Sequence, residues 1–388
     1  MINSVCGIRS TGRICTDLAD ALETQGHTCK IAYGREAAPK KYQKYGYRIT
    51  SKWGVRLDAL LSRLFGNAGF NSKRATKKFI EWVKQFDPDI IHLHNLHGYY
   101  INTPALFDYL KASGKPVIWT LHDCWSFTGH CAHFTTEKCE KWKSECFSCP
   151  KYHAYPKSFI DRSRKNYKKK KELFSSLDKL TIVTPSHWLA NLARASFLGS
   201  CPITVIPNGI DTAIFKPTPS DFRKKHGLSD KKIVLGVASA WGKGKGLYDF
   251  VSLAHLLGES YKVVLVGVTK QQKEELPSEI LAITRTNNAQ ELAEIYTAAD
   301  VFVNPTYCDT YPTVNLEAHA CGTPVITYRT GGSVESVAHD AIIEQGDIRA
   351  LCDKIISGSA KLKTELQVDK ASMLAQYENL FQTVLIKS

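Results

Sequence analysis

A chain of 388 residues, 43 % hydrophobic and 23 % charged, has room for about two globular domains, each able to bury a core. It holds no apolar run of the roughly 18 to 20 residues that a membrane span needs, and its start, MINSVCGIRSTGR, lacks the apolar region of a secretory signal. A cytoplasmic location follows as the expectation, with the twelve cysteines acting as thiols or metal ligands rather than as a disulfide framework. The formal charge of +14 sits in one half: residues 1–200 carry 32 Lys and Arg against 16 Asp and Glu, whereas residues 201–388 carry 19 against 21. The excess is densest from Arg162 to Glu172 and from Lys40 to Arg48. Such patches suit an anionic lipid surface or a phosphorylated acceptor, and a solvated helix face explains them equally well. Nucleic acid is not expected as a partner, because no nucleic-acid-binding motif accompanies the charge.

In chain order, Ile2–Val5 reads as a short first strand, and Gly7 to Arg13 as a loop of small residues leading into a helix that ends near Gln25. Small residues between strand and helix let the backbone approach a ligand; a simple tight turn accounts for them too. Lys30–Tyr33 is a second strand. Residues 51–85 show helical periodicity, with Trp53, Leu57, Leu60, Leu61 and Leu64 expected to face the core. Asp87-Pro88-Asp89 is a proline-centred turn at the wrong strand end for a metal-binding pair of acids. His92 and His94 share one face of the following strand, His97 lies just beyond it, and all three are expected in a cleft wall. The strand Val117–Leu121 ends in His122-Asp123, at the strand tip where open α/β sheets place their sites, with Asp123 as candidate partner orienting the His122 ring.

Residues 124–150 then bring Cys124, Cys131, Cys139, Cys146 and Cys149 with almost no periodicity, and read as a Cys-rich insertion that something other than a core must hold. Cys131, Cys139, Cys146 and Cys149 have loop lengths compatible with a structural zinc; buried free thiols and redox work are the alternatives. Past the basic run come strand Leu180–Val183, a Pro-Ser helix entry at Pro185-Ser186, another strand, and the Pro207-Asn208-Gly209 turn, a linker by position. Strands alternate with helices again from Ile233, which predicts a second parallel doubly wound sheet. Between its first strand and first helix lie Lys243 and Lys245 on glycine-flanked backbone; this is no P-loop, but lysines there can neutralise a diphosphate. Helix resumes near Ala350, and a last helix is expected from Leu366 to Ile386.

The most informative stretch is Val301–Glu335. A buried strand leads into a helix starting at Pro312 or Thr313, whose N–H groups on Thr313, Val314 and Asn315 form an anion site. Asp309 and Glu317 flank it, as carboxylates suited to sugar hydroxyls or, more plainly, as a turn cap and a solvated helix residue. This run, with AHACGTPVI and Gly331-Gly332 after the two acids, resembles the donor segment of retaining glycosyltransferases of the two-Rossmann-domain GT-B type, family four. The phrase around Pro207 resembles the same family's interdomain connector. One departure stands out: the family's first acid is usually Glu and here is Asp309.

The resemblance implies two Rossmann-like doubly wound α/β domains facing one another across a cleft. Residues 1–206 would bind acceptor, 207–365 donor, and 366–388 would be a helix crossing back to the first domain. It implies transfer of a sugar from a UDP- or GDP-sugar to a saccharide acceptor, including one linked to polyprenyl diphosphate, in bacterial surface polysaccharide synthesis at the inner membrane face. It places Thr11 and Gly12 over the donor phosphates, Lys245 on the diphosphate with Lys243 as substitute for a missing arginine, Glu317 on the ribose, and Asp309 and His122 on the donor sugar, with no catalytic metal. A sugar-nucleotide epimerase or phosphorylase on a similar fold, and a zinc-stabilised basic binding module, are the competing classes.

Overall fold

Every paired strand in the computed structural model, which describes residues 1–363, 366 and 369–387, runs parallel to its neighbours. The contacts divide the chain into two units, Met1–Ile206 with Leu374–Ser388, and Pro207–Met373.

The first unit contains, in order, α1 (Arg9–Thr24), β1 (Ile31–Tyr33), β2 (Gly46–Arg48), α2 (Lys52–Phe65), α3 (Lys73–Phe86), β3 (Ile91–Leu93), α4 (Thr103–Ser113), β4 (Val117–Thr120), α5 (Ser163–Phe174), β5 (Leu180–Thr184), α6 (His187–Arg194) and β6 (Ile203–Val205). Its strands pair as β2-β1 and as β3-β4-β5-β6. The expected first strand is only a bridge: Ile2 pairs with both Ala32 and Leu93, and so joins the two sets of strands. The runs IAY, IHL and VIWT are wholly buried, as strands covered on both faces must be. Local signals explain the helix starts: the Ser186 hydroxyl accepts from the Leu189 N–H at 3.2 Å, and the Asn102 side chain from Ala105 at 3.0 Å.

Two expectations fail here. On α2, Trp53, Leu57, Leu60 and Leu64 are exposed, at 74, 57, 51 and 45 %, and the buried positions are Asp58 and Ser62. The inward face is polar because Asp58 sits in a bonded cluster, accepting from Ser62 Oγ at 3.0 Å, Asn71 Nδ2 at 3.2 Å and Ser72 Oγ at 2.5 Å. The Cys-rich segment, in turn, is part of the core: Cys124, Trp125, Phe127, Phe134, Trp142 and Cys146 are buried among the side chains of the main hydrophobic cluster.

The second unit contains α7 (Phe222–Lys225), β7 (Lys232–Val237), α8 (Leu247–Leu257), β8 (Tyr261–Val266), α9 (Lys270–Glu275), β9 (Ile280–Ile283), α10 (Ala289–Ala298), β10 (Val301–Asn304), α11 (Thr313–Ala320), β11 (Val325–Tyr328), β12 (Ile342–Ile343) and α12 (Ile348–Ile356). The strand order is β12-β11-β10-β7-β8-β9. One face buries Phe250, Leu253, Leu351 and Ile355 of α8 and α12, and the other Ala293, Tyr296, Leu316 and Ala318 of α10 and α11. The chain winds outward in one direction from β7 and in the other from β10, so the switch in strand order falls between them, where open α/β sheets hold ligands. The last helix, α13, spans Lys370–Ile386 and belongs to the first unit from Leu374 onward. Of the expected helix from Leu366, positions Gln367 and Val368 lie outside the described residues, as does Ser388.

Candidate functional site

In the second unit, two loops leave the paired strands β7 and β10 and are fastened together. The Tyr307 N–H donates to the Gly244 carbonyl at 3.0 Å. Gly246, at φ +71, brings its Cα so close to the Pro305 carbonyl that a Cβ would stand 2.4 Å from the oxygen. This fastening places Lys245 Nζ 2.6 Å from Asp309 Oδ2 and 3.4 Å from Thr306 Oγ1. Gly331 fixes the other side of Asp309: at φ +52, its Cβ would meet the Asp309 carbonyl at 1.9 Å. The Gly332 N–H donates to that carbonyl at 3.2 Å. Lys243 is exposed on the same loop.

The start of α11 follows Asp309. Thr313 and Val314 stand in its first turn, where no carbonyl within the helix can take their N–H groups. Asn315 departs from the sequence expectation. Its N–H donates to the Pro312 carbonyl at 3.2 Å, so it is not free for an anion. Its fully buried side chain accepts from Asn304 at 2.8 Å and donates to Ser336 at 2.8 Å and Ser333 at 3.3 Å. Its role is to tie α11 to β10 and to the Gly331–Ser336 turn. Glu317, 8 % exposed, accepts from the Tyr296 hydroxyl at 3.0 Å. Burial and then the Glu317 charge hold Tyr296 well above its ordinary pKa, so it stays a donor. The two acids therefore divide, Asp309 with Lys245 and Glu317 with α10.

In the first unit, Thr11 and Gly12 lie inside α1 rather than in a loop, because the helix starts at Arg9. Gly12 is buried against Val5, and Thr11 Oγ1 accepts from Asn3 Nδ2 at 3.4 Å. A histidine cluster reaches from within β3 to past the ends of β3 and β4. His122 Nε2 and His94 Nδ1 share a hydrogen bond at 3.0 Å, and His92 Nε2 and Thr120 Oγ1 one at 2.8 Å. Burial, above all, lowers His122 to about 4 and His92 and His94 well below the usual histidine range. The Asp123 carboxylate acts on His122 through its charge, which works to raise the ring's pKa against burial, while its hydrogen bonds go elsewhere. It accepts from His97 Nε2 at 2.7 Å and from the Trp125 N–H at 2.8 Å. Burial works to raise its pKa, but the His97 charge and hydrogen bond outweigh it, so the carboxyl is held below its ordinary value. His97 also bonds the Tyr155 hydroxyl at 3.0 Å, a partner too distant in sequence to have been read from spacing.

Cys131, Cys139, Cys146 and Cys149 line one void of about 10 Å³ together with His130. The Gly129 N–H donates to Cys146 Sγ at 3.2 Å, and a thiol bond to Cys149 raises the Cys131 pKa. The donor types suit zinc, although among the described residues no three donors stand in a metal-holding arrangement. None of the twelve cysteines is in a disulfide. Lys170, in the basic run, is buried: its Nζ donates to the Trp125 and Thr128 carbonyls at 2.6 and 3.0 Å, and burial lowers it to about 7. It is therefore not part of any surface patch.

Residues 11–214 match the family model described as Glycosyltransferase Family 4, and residues 220–371 the one described as Glycosyl transferases group 1. A glycosyl transferase of Escherichia coli (strain K12) named for colanic acid biosynthesis, WcaC, is 28 % identical over 342 residues, 83 % of this chain and 80 % of that one. Among solved structures, sucrose-phosphate synthase from Thermosynechococcus elongatus superposes with a TM-score of 0.71 at 16 % identity, covering 99 % of this chain and 95 % of that one. Anabaena HepE, in complex with UDP and glucose, superposes with a TM-score of 0.67 at 14 % identity, covering 98 % of each. These likenesses establish the GT-B fold. With more than half of its length matched by the first model, the chain belongs to Glycosyltransferase Family 4 and is a glycosyltransferase.

Proposed function

We propose that this glycosyltransferase moves a hexosyl group from a UDP- or GDP-sugar to a saccharide carried on polyprenyl diphosphate, with retention, in building a bacterial surface polysaccharide at the cytoplasmic face of the membrane. The observation that carries the donor half is the Lys245–Asp309 pair, 2.6 Å apart beside the start of α11 at the switch in strand order. A cation and helix amides next to a carboxylate form a site for a diphosphate joined to a sugar. The UDP and glucose held by Anabaena HepE and the naming of WcaC support the donor class and the pathway. In this reading the bond from the anomeric carbon to the diphosphate breaks, and the acceptor hydroxyl bonds to the same face while its proton passes to the departing diphosphate. Negative charge grows on the departing diphosphate and is met by Lys245 and the Thr313 and Val314 amides, already in place. Asp309 takes donor-sugar hydroxyls, Glu317 the ribose, and His122, neutral at physiological pH, one hydrogen bond to a sugar hydroxyl. Thr11, in the first turn of α1, acts on the phosphates, and Lys243 supplies a second cation.

A thermal-shift panel with UDP, GDP, ADP and their sugars tests the donor class. One uridine or guanosine diphosphate series should raise the melting temperature in a concentration-dependent way, by about RT ln(1 + [L]/Kd) in free energy; no shift with any member would sink the reading. Donor type and a shared void favour a structural zinc held by Cys131, Cys139, Cys146 and Cys149, which would have to draw closer together to bind it. Metal analysis of protein purified without chelator should find one zinc per chain, abolished in Cys146→Ser with Cys149→Ser. Zinc-free protein that melts like the untreated one would remove this element alone.

A further inference from the structure

The outward face of α2 has no cover within its unit. Trp53, Leu57, Leu60, Leu64 and Phe65 recur at helical spacing and are 45 to 74 % exposed, while the helix's single acid, Asp58, is 1 % exposed. Lys52, Arg56 and Arg63 are exposed on the same helix, and the Arg56 guanidinium lies 4.8 Å from the Trp53 ring. An apolar stripe flanked only by cations, on a helix capped at both ends, has the design of an interfacial helix. The capping is explicit: Ser51 Oγ accepts from Gly54, and Gly66 adopts the left-handed C-cap conformation at φ 59.

Two further elements extend this face. The Phe159 N–H donates to the Arg63 carbonyl at 2.8 Å, which fixes Phe159 and Ile160, 55 and 39 % exposed, beside the end of α2. Asn166 Nδ2 of α5 donates to the Gly66 carbonyl at 2.6 Å. From that junction a groove of about 770 Å³ follows α5, lined by Arg162, Arg164, Lys165, Lys168 and Lys169, with Asp161 and Glu172 as its acids; Glu145 pairs with Arg164 at 3.6 Å and Lys168 at 3.1 Å, so five cations face three acids. The apolar stripe and the cationic groove thus belong to elements tied to one another, Phe159 to Arg63 and Asn166 to Gly66.

We propose that this surface docks on an anionic phospholipid bilayer: α2 with Phe159 and Ile160 enters among the acyl chains near the headgroups, and the α5 groove lies over lipid phosphates. Charge complementarity selects this occupant, because a bilayer meets a stripe of large apolar groups and a field of cations together. The inference rests on the reading that the acceptor is presented at a membrane face, and says which face of the protein meets it.

The test is co-sedimentation of the full chain with phosphatidylcholine vesicles with and without phosphatidylglycerol, alongside quenching of tryptophan emission by brominated lipid in the natural protein and in Trp53→Phe. Binding should require phosphatidylglycerol, and the quenched component should be the one lost in Trp53→Phe. Leu57→Ser with Leu60→Ser should weaken partitioning at least about tenfold, and Arg164→Glu with Lys168→Glu and Lys169→Glu should remove the phosphatidylglycerol dependence. Both sets of positions are exposed, so circular dichroism and the nucleotide thermal shift should stay as in the natural protein. Failure to bind anionic vesicles overturns the proposal. So does concentration-dependent self-association without vesicles that is abolished by Leu57→Ser, because a second copy then covers the stripe. Vesicle binding without any nucleotide or transfer response would uphold this inference and sink the proposed donor chemistry instead.

Discussion

Lys245→Ala is expected to lower kcat/KM for sugar transfer roughly 10²- to 10³-fold, the loss typical when one preorganised donor to a developing charge is removed. The effect should exceed that of Asp309→Asn, for a reason visible in the pairing. Lys245 is 39 % exposed and Asp309 17 %, so the carboxylate is the more enclosed partner. Deleting the lysine leaves that carboxylate uncompensated beside the place assigned to the diphosphate, and repulsion is added to the lost attraction. The double variant Lys245→Ala with Asp309→Asn should therefore bind nucleoside diphosphate more tightly than Lys245→Ala alone, even though its transfer stays slow. Because the pair is partly open to solvent, its contribution to stability is small, within about 1 kcal/mol, and melting of the unliganded variants should hardly change. Undiminished transfer by Lys245→Ala, or a double variant that binds nucleotide no better than the single one, would show that this pair does not face the donor.

The alternation of buried strands and helices was legible because parallel strands covered on both faces leave near-continuous apolar runs, such as IVLGV in β7 and VFV in β10. Lys245, Asp309 and the start of α11 could be placed for the same reason, since each follows directly from a strand end. What was not legible depended on which way a face turns or on a distant partner. The period of α2 shows two unlike faces, but not which one is inward. That was decided by Asn71 and Ser72, which bond Asp58 from outside the helix and make the polar side the buried one. Asn315 looked like an anion donor by position, and only the packing of Asn304, Ser333 and Ser336 around it shows it to be a buried tie. Asp123 stands next to His122 in sequence, yet its hydrogen bond goes to His97, brought in by the neighbouring strand β3. The bulky aromatics of the Cys-rich segment carried no period to reveal that Trp125, Phe127 and Trp142 fill the core of the first unit.

Acidification from pH 6.5 towards about 4 is expected to destabilise the first unit steeply, through its buried histidines. His92, His94 and His122 are kept neutral chiefly by burial, with His122 lowered to about 4 from 6.5 and the other two well below 6.5. The unfolded chain protonates these rings near pH 6.5, whereas the folded one does not until far lower. Unfolding therefore takes up protons in this window, and stability, complete above pH 6.5, falls as pH falls. Each ring contributes about 1.4 kcal/mol per pH unit, so these three give a slope approaching roughly 4 kcal/mol per unit, and His130, which burial also lowers to about 4, adds to it. The groups facing the cluster are Asp123 and His97 beyond β3 and β4, the Met1 ammonium, and Tyr377 of α13, whose hydroxyl bonds Thr120 at 3.0 Å. Asp123, held below its ordinary value, adds its own loss only below this window. Asp58 opposes the trend, since burial raises its carboxyl and favours the folded state as protons are added, but only towards the acid end. Denaturant titrations from pH 7 to 5 measure the slope directly. His94→Gln should reduce it by about one proton, whatever its effect on stability at pH 7. A melting temperature that stays flat between pH 6.5 and 5 would mean that these rings already carry charge in the folded protein.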